Sequence, residues 1–285
     1  MLCNLYYRQD GRSVLVPTVS RNRRTVLEAV AALPLIRSTR AVEATQRPPA
    51  PESEDAVVEL RQYTLRGGQR DVLIALFEKN FIEPQLAVGA NVLGLFRDLD
   101  DPDRFVWIRG YRDMATRQAA LAAFYGGPVW LANRAAANAT ILDSDNVLLL
   151  RPAEPGLGVL AHPAAASGGV IGGMIYYLGG VDSTQFAHVF AQVVMPHLIS
   201  AGAHPVGQLV TNEVVNNFPR LPIREHDRTF VWLAQWPNVP AEEAFVASFR
   251  ALSGWRDSVP EAVLPALMQK PERLRLAPTL RSALR

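Results

Sequence analysis

Apolar positions alternate with aromatic or charged ones along Phe105-Val106-Trp107-Ile108-Arg109-Gly110-Tyr111. Phe105, Trp107, Arg109 and Tyr111 fall on one face and Val106, Ile108 and Gly110 on the other, the two-residue period of a β-strand. The pattern returns 125 residues later as Phe230-Val231-Trp232-Leu233-Ala234-Gln235-Trp236. The same offset carries Phe124 onto Phe249, Trp130 onto Trp255 and Leu149 onto Leu274. Landmarks kept in step over that distance predict one structural unit present twice.

The first unit reads as strand, helix, strand, strand, helix, strand. Val57 to Leu65 alternates, and Gly67-Gly68 breaks the strand. Leu73, Leu76, Phe77 and Phe81 recur at helical spacing between Gln69 and Val88, and Pro84 is expected to kink or end that helix. Asn91 to Leu99 is a second strand. Asp100-Asp101-Pro102-Asp103 turns it into the Trp107 strand as a hairpin. Helices are expected over Thr116 to Phe124 and Pro128 to Ile141, and a closing strand over Asn146 to Arg151. In the second unit Val170 to Leu178 is a strand ended by Gly179-Gly180, and Asp182 or Ser183 caps the next helix. Gly179-Gly180 and Pro196 follow Gly67-Gly68 and Pro84 at an offset of 112. Gln208 to Val214 lies in the second strand. The change of offset places an insertion of 13 residues around Asn216 to Asp227, read either as a lid or partner contact or as an ordinary surface loop.

The order β-α-β-β-α-β is ferredoxin-like. Such a sheet packs its helices on one face, and here the other face is too apolar to be left in water. The segment Glu59-Leu60-Arg61-Gln62-Tyr63-Thr64-Leu65, with Gly68, Phe77-Glu78, Gly94, Trp107, Tyr111, Asp113, Arg117, Trp130 and Leu149-Leu150-Arg151-Pro152, resembles the NIPSNAP family. The resemblance covers nearly all of residues 57–152 and, more weakly, 169–278, where the Glu-Leu-Arg-x-Tyr opening is absent. It implies a dimeric α+β barrel in which two ferredoxin-like units join their sheets, and it implies little chemistry. The expected fold class is therefore α+β, with the two units pairing inside one chain as a pseudo-dimeric barrel. The expected organisation is a leader over 1–56, a NIPSNAP-like domain over 57–152, a linker over 153–168, a diverged second domain over 169–278 and a tail over 279–285. Further oligomerisation of whole chains stays open.

In the leader, Arg23-Arg24 followed by apolar residues from Ala29 to Ile36 and by Val42-Glu43-Ala44 resembles a twin-arginine signal peptide. Glu28, Arg37 and Arg40 depart from that pattern. Export to the periplasm is the reading set against a cytoplasmic protein with an untargeted tail.

Composition removes several function classes. The net charge is +2, and 27 of the 29 basic residues are Arg, but no basic helix or stripe is present, so nucleic-acid binding is not expected. No apolar run is long enough to span a bilayer. The one cysteine, Cys3, excludes an intramolecular disulfide. His162, His188, His197, His204 and His226 lack the spacing of a zinc motif, and His188 and His197 lie nine residues apart, near opposite faces of one helix. No nucleophile elbow, phosphate-binding loop or dinucleotide fingerprint occurs. Neither a metal nor a cofactor is called for.

What remains is the mixed strand face. Glu59, Arg61 and Tyr63 alternate on the first strand, and Trp107, Arg109 and Tyr111 on the third, its central neighbour. If these faces point away from the helices, they line the barrel with Trp232 and Trp236 of the second unit, as one pocket charged on one wall and apolar on the other. Two guanidinium groups beside aromatic walls suit a small apolar or aromatic carboxylate. The bland alternative is that Glu59, Arg61 and Arg109 pair with one another as structural glue. Two functions follow: a NIPSNAP-like small-molecule-binding or interaction module, or a cofactor-independent monooxygenase or isomerase-like barrel acting on an aromatic or polyketide-like acid. In the enzyme, Arg61 and Arg109 hold the anion and Tyr63 or Tyr111 handles a proton.

Overall fold

The computed structural model describes residues 55–159, 169–252 and 263–285. The leader with Cys3 and Arg23-Arg24, and also His162 and Trp255, lie outside the described residues. In the first half β1 (Val57–Leu65), α1 (Arg70–Asn80), α2 (Ile82–Ala87), β2 (Asn91–Asp98), β3 (Arg104–Tyr111), α3 (Met114–Gly126), α4 (Pro128–Thr140), β4 (Ile141–Asp143) and β5 (Val147–Pro152) follow in order. The second half has β6 (Val170–Leu178), α5 (Ser183–Val189), α6 (Met195–Ser200), β7 (His204–Thr211), β8 (Arg228–Trp236), α7 (Val239–Ala251) and β9 (Glu272–Pro278).

Each half is an antiparallel four-stranded sheet with its first and third strands in the centre, β5-β1-β3-β2 and β9-β6-β8-β7. The sheets join edge to edge: β2 pairs with β9 through Phe96 opposite Pro278, and β5 with β7 through Leu150 opposite Thr211. Eight strands thereby close into one barrel, so no long sheet edge is left unpaired. This is the intramolecular pseudo-dimeric α+β barrel. The short β4 extends the β5 side of β1 after an interruption at Ser144 to Asn146, which periodicity did not reveal.

The barrel interior is aliphatic and filled from both halves. Val58, Leu60, Val106, Ile108, Ile171, Ile175, Val231, Leu233, Leu274 and Leu276 meet there. Bulges between Val92 and Gly94 in β2, and between Pro205 and Gly207 in β7, shift the register at matching places in the two halves. Each lets an edge strand bend into the barrel wall. Residues 279–285 do not hang free as a tail: the Leu284 amide donates to the Leu93 carbonyl, and its buried side chain joins the interior. Val159, behind β5, packs by Gly207 in the corresponding way.

Two local expectations change. The first helix breaks at Phe81, before Pro84, because Pro84 offers no N–H to the Asn80 carbonyl and its ring crowds that group; α2 restarts with Pro84 in its first turn. Before Pro196 the same conflict is absorbed by a π-helical turn over Phe190–Val194, and the helix continues. Second, the register of the central strands relates β1 to β6 by 113 residues, not 112. Trp107 faces Arg61 across the sheet, and Trp232 faces Met174. The two turns are equally long, but the glycine pair follows β6 directly and follows β1 only after Arg66, and counting from the glycines carries that one-residue difference into the strand. By the same register the counterpart of Leu149 is Arg275, not Leu274.

Gly173 faces the interior where β6 and β8 approach closely, and a Cβ there would lie 2.1 Å from the Trp232 carbonyl oxygen. Gly173→Ala should destabilise the fold by about 1–3 kcal/mol through this overlap. Gly180→Ala, with nothing within 4 Å of the added carbon, should leave the urea midpoint nearly unchanged. Equal midpoints for the two variants would refute the packing described.

Candidate functional site

The mixed face does not line the barrel. Tyr63, Trp107 and Phe105 point outward, under the helices, and pack against Leu73, Phe77 and Phe81 of the first helical segment and Phe124 of α3. The Phe77 ring centroid lies 4.9 Å from that of Trp107. The physical reason is the size and polarity of the two environments. The inside of an eight-stranded barrel is filled by branched aliphatic chains, whereas the helix layer can supply hydrogen-bond partners to charged groups.

Six of the eight expected residues gather there. Glu59 lies opposite Arg109 across β1 and β3, and both are fully buried. One carboxylate oxygen of Glu59 accepts from Arg61 Nη1 at 2.8 Å and from Arg109 Nε at 2.7 Å; the other accepts from Arg117 Nε of α3 at 2.7 Å. Arg61 Nε donates to the Tyr63 hydroxyl at 3.0 Å, and Arg109 Nη1 donates to Gln85 Oε1 at 3.0 Å. The guanidinium of Arg109 stands over the Trp107 ring at 4.9 Å, and that of Arg61 at 5.5 Å.

Three buried guanidinium groups thus share one carboxylate, the single one ion-paired to them among the described residues. Burial pushes the Glu59 carboxyl up, but the charges of Arg109, Arg61 and Arg117 outweigh it and hold the group well below the usual carboxylate range. Burial raises the phenols of Tyr63 and, strongly, Tyr111, so both stay neutral donors. The cluster is not satisfied internally. Arg109 Nη2, Arg117 Nη2, Trp107 Nε1 and the Tyr111 hydroxyl are buried without a hydrogen-bond partner. Excess positive charge and unused donors in a dry place favour a further anion.

A cavity of about 110 Å³ adjoins this cluster between the sheet and the helices. Tyr63, Gln85 and Trp107 form its polar side, Tyr63 and Gln85 being hydrogen-bonded to Arg61 and Arg109, which do not line it; Phe77, Phe81, Phe124, Tyr125 and Trp130 form the aromatic side. A cavity of roughly 150 Å³ holds benzene; at about 110 Å³ this one takes a short acid as it stands and a single ring once a wall side chain moves outward. Trp130 is a half-buried wall residue here.

Trp232 and Trp236 are not part of this site. They lie under the helices of the other half, Trp232 near Phe190 and Trp236 at 4.8 Å from Phe245. With the corrected register, Gly172, Met174, Ala234 and Trp236 stand where the first half has Glu59, Arg61, Arg109 and Tyr111. The Trp236 ring covers Gly172, and only about 30 Å³ stays open among Met174, Tyr176, Val194, Leu198, Trp232, Phe245 and Phe249. The two halves therefore carry one charged site and one filled apolar counterpart, not a single lopsided pocket.

Arg117 and Gln85 were missing from the expected set. A signal for Arg117 existed: it begins the stripe Arg117, Ala120, Leu121, Phe124, the buried face of α3. A charge on that stripe must meet a buried partner. Gln85 carried no comparable mark. Among the described residues no three His, Cys, Asp or Glu side chains converge as metal ligands, and no helix is long and apolar enough to cross a membrane.

Glu59→Gln leaves three buried cations without their counter-charge and should cost about 3–5 kcal/mol at neutral pH. Because the carboxyl's pKa is lower in the folded than in the unfolded chain, its contribution is present above the unfolded value of about 4.3 and falls as the pH drops from there toward the folded value. Urea unfolding at pH 7 and pH 3 should show the gap between wild type and variant narrowing at the lower pH. A gap that widens at pH 3 would contradict the pairing.

In sequence, the profile of the NIPSNAP family matches residues 58–154. Among curated proteins none matches the chain. A NIPSNAP family protein from Agrobacterium tumefaciens strain C58 is 24% identical over 34% of this chain and 91% of its own, with a TM-score of 0.32. Two longer matches span both halves. A candidate monooxygenase from Lactobacillus acidophilus NCFM is 12% identical over 78% of this chain and 93% of its own, with a TM-score of 0.50. An anthrone oxidase-like protein is 11% identical over 78% and 91%, also with a TM-score of 0.50. At such identities these two share the fold, which by itself carries no activity. The Glu-Leu-Arg-x-Tyr motif, with the Glu59 cluster built on it, lies wholly within residues 58–154, the segment of this chain that matches the NIPSNAP domain.

Proposed function

We propose that the first half binds a small acid with a flat apolar body in the cavity between its sheet and helices. One observation carries this reading: three fully buried arginines share one carboxylate and keep two Nη2 donors unused, and two of the three, Arg61 and Arg109, bond to Tyr63 and Gln85, which line an aromatic-walled space. The acid's ring would lie against Phe77, Phe124 and Trp130. Its charged end would face Tyr63 and Gln85, in the field of Arg61 and Arg109. A unit charge at 4 Å and an effective dielectric of 20 is worth roughly 4 kcal/mol, enough to select an anion over its neutral analogue. On this reading 57–152 and 169–278 are tandem NIPSNAP-like domains, the second diverged and without the charged set.

A second reading, a cofactor-independent oxygenase or isomerase, draws on Tyr63. Its phenol lines the cavity and accepts a hydrogen bond from Arg61 Nε, a position from which it could pass a proton to a bound enolate. Oxygen uptake with a bound polyketide-like acid, lost in Tyr63→Phe while binding persists, would favour it.

Calorimetric titration of the full chain tests the binding reading. Benzoate should bind about tenfold or more tightly than benzamide, and Arg109→Gln, which leaves Glu59 paired to Arg61 and Arg117, should remove most of that preference. Equal binding of acid and amide would refute the site.

A further inference from the structure

The insertion between β7 and β8 belongs to the second half but covers the cavity of the first. Asn216 and Asn217 accept hydrogen bonds from Arg117 Nη1 at 3.1 and 2.6 Å, on the same guanidinium that pairs with Glu59 and keeps its Nη2 unused. Phe218 stacks on Tyr125 at 6.3 Å. Leu221 lines the cavity, where all the other wall residues come from the first half. The segment is tied within itself, Asn216 Nδ2 donating to the Leu221 carbonyl and the Leu221 amide to the Phe218 carbonyl. An open groove of about 610 Å³ is lined by the two ends of the segment, Thr211 to Val215 and Ile223 to Arg228, and the Arg224 amide fastens the second end to the Val147 carbonyl of β5 at 2.9 Å.

We infer that residues 212–227 form a lid lent by the second half to the first, and that Leu221 sets the size of acid the site accepts. The inference rests on the binding reading above. It follows from two features together: the loop supplies one wall of the cavity, and it fastens to a charge of the cluster rather than to inert surface. The second half, whose own counterpart cavity is filled, thereby has a role at the first half's site.

The role of Leu221 makes a size test possible. Wild-type, Leu221→Ala and Leu221→Trp full-length proteins would be titrated with benzoate and 2-naphthoate, with thermal midpoints measured alongside. Replacing the isobutyl side chain with a methyl should shift the preference toward 2-naphthoate by about tenfold, the range a few methylenes control in an apolar pocket. Leu221→Trp should weaken both acids by about tenfold or more at an unchanged midpoint. If wild type binds benzoate but the preference moves by less than about twofold in Leu221→Ala, the lid is refuted and the site stands. If wild type binds neither acid, the site is refuted and the lid with it.

Discussion

Everything near the site is arranged around a carboxylate that cannot be left alone. Glu59 sits in the middle of a sheet under a helix layer, where an unpaired charge would cost several kcal/mol. Arg109 reaches it from the neighbouring strand, Arg61 from two residues along its own strand, and Arg117 from the helix above. These cations then need companions of their own. Gln85, the Tyr63 hydroxyl, the Trp107 ring and the two asparagines of the inserted loop fill that need only in part. The charge excess and the unused donors are properties of the whole network, not of any one member.

The barrel explains why this network lies outside rather than within. Closure of β2 on β9 and β5 on β7 removes the sheet edges and commits the inner faces to one another. Branched aliphatic chains from both halves fill the middle, and the polar groups of the inner faces, Gln62, Arg104, Tyr177 and Glu272, pair with one another. Polar chemistry is displaced to the layer between sheet and helices, where cavities can open at a helix boundary. The first half keeps that opportunity, and the second closes it with Trp236 over Gly172. A related exchange occurs on the helices: Arg117 of α3 pairs with a strand carboxylate, whereas Glu242 of α7 pairs with Arg273 and Arg275 of β9. The two halves share a frame and differ in where they place charge.

Much of this was legible in the residues. Val57 to Leu65 and Val170 to Leu178 emerge as strands with their expected bounds, because period two and β-branched content are local properties. The ferredoxin-like order, the hairpin at Asp100 to Asp103 and the site of the insertion were equally plain. Six of the eight candidate residues come together in one cluster, and they were legible as a group because charges within an aromatic strand face are unusual anywhere. Trp232 and Trp236 were misassigned by one assumption, that the mixed faces of both halves look inward together.

The sequence by itself determined which residues share a face, since alternation along a strand depends only on the chain. It could not decide which face turns to the barrel and which to the helices. That choice is made by the elements that cover each side: Phe77, Gln85 and Arg117 above the sheet, and the opposing aliphatic face of the other half below it. Register had the same limit, for counting from a landmark displaced by one residue, as the glycine pair is, exchanges the two faces of a strand. Only the paired strands, with Trp107 opposite Arg61 and Trp232 opposite Met174, settled it. The covering of the first half's cavity by Leu221, about a hundred residues beyond Tyr125 in the chain, likewise exists only in three dimensions.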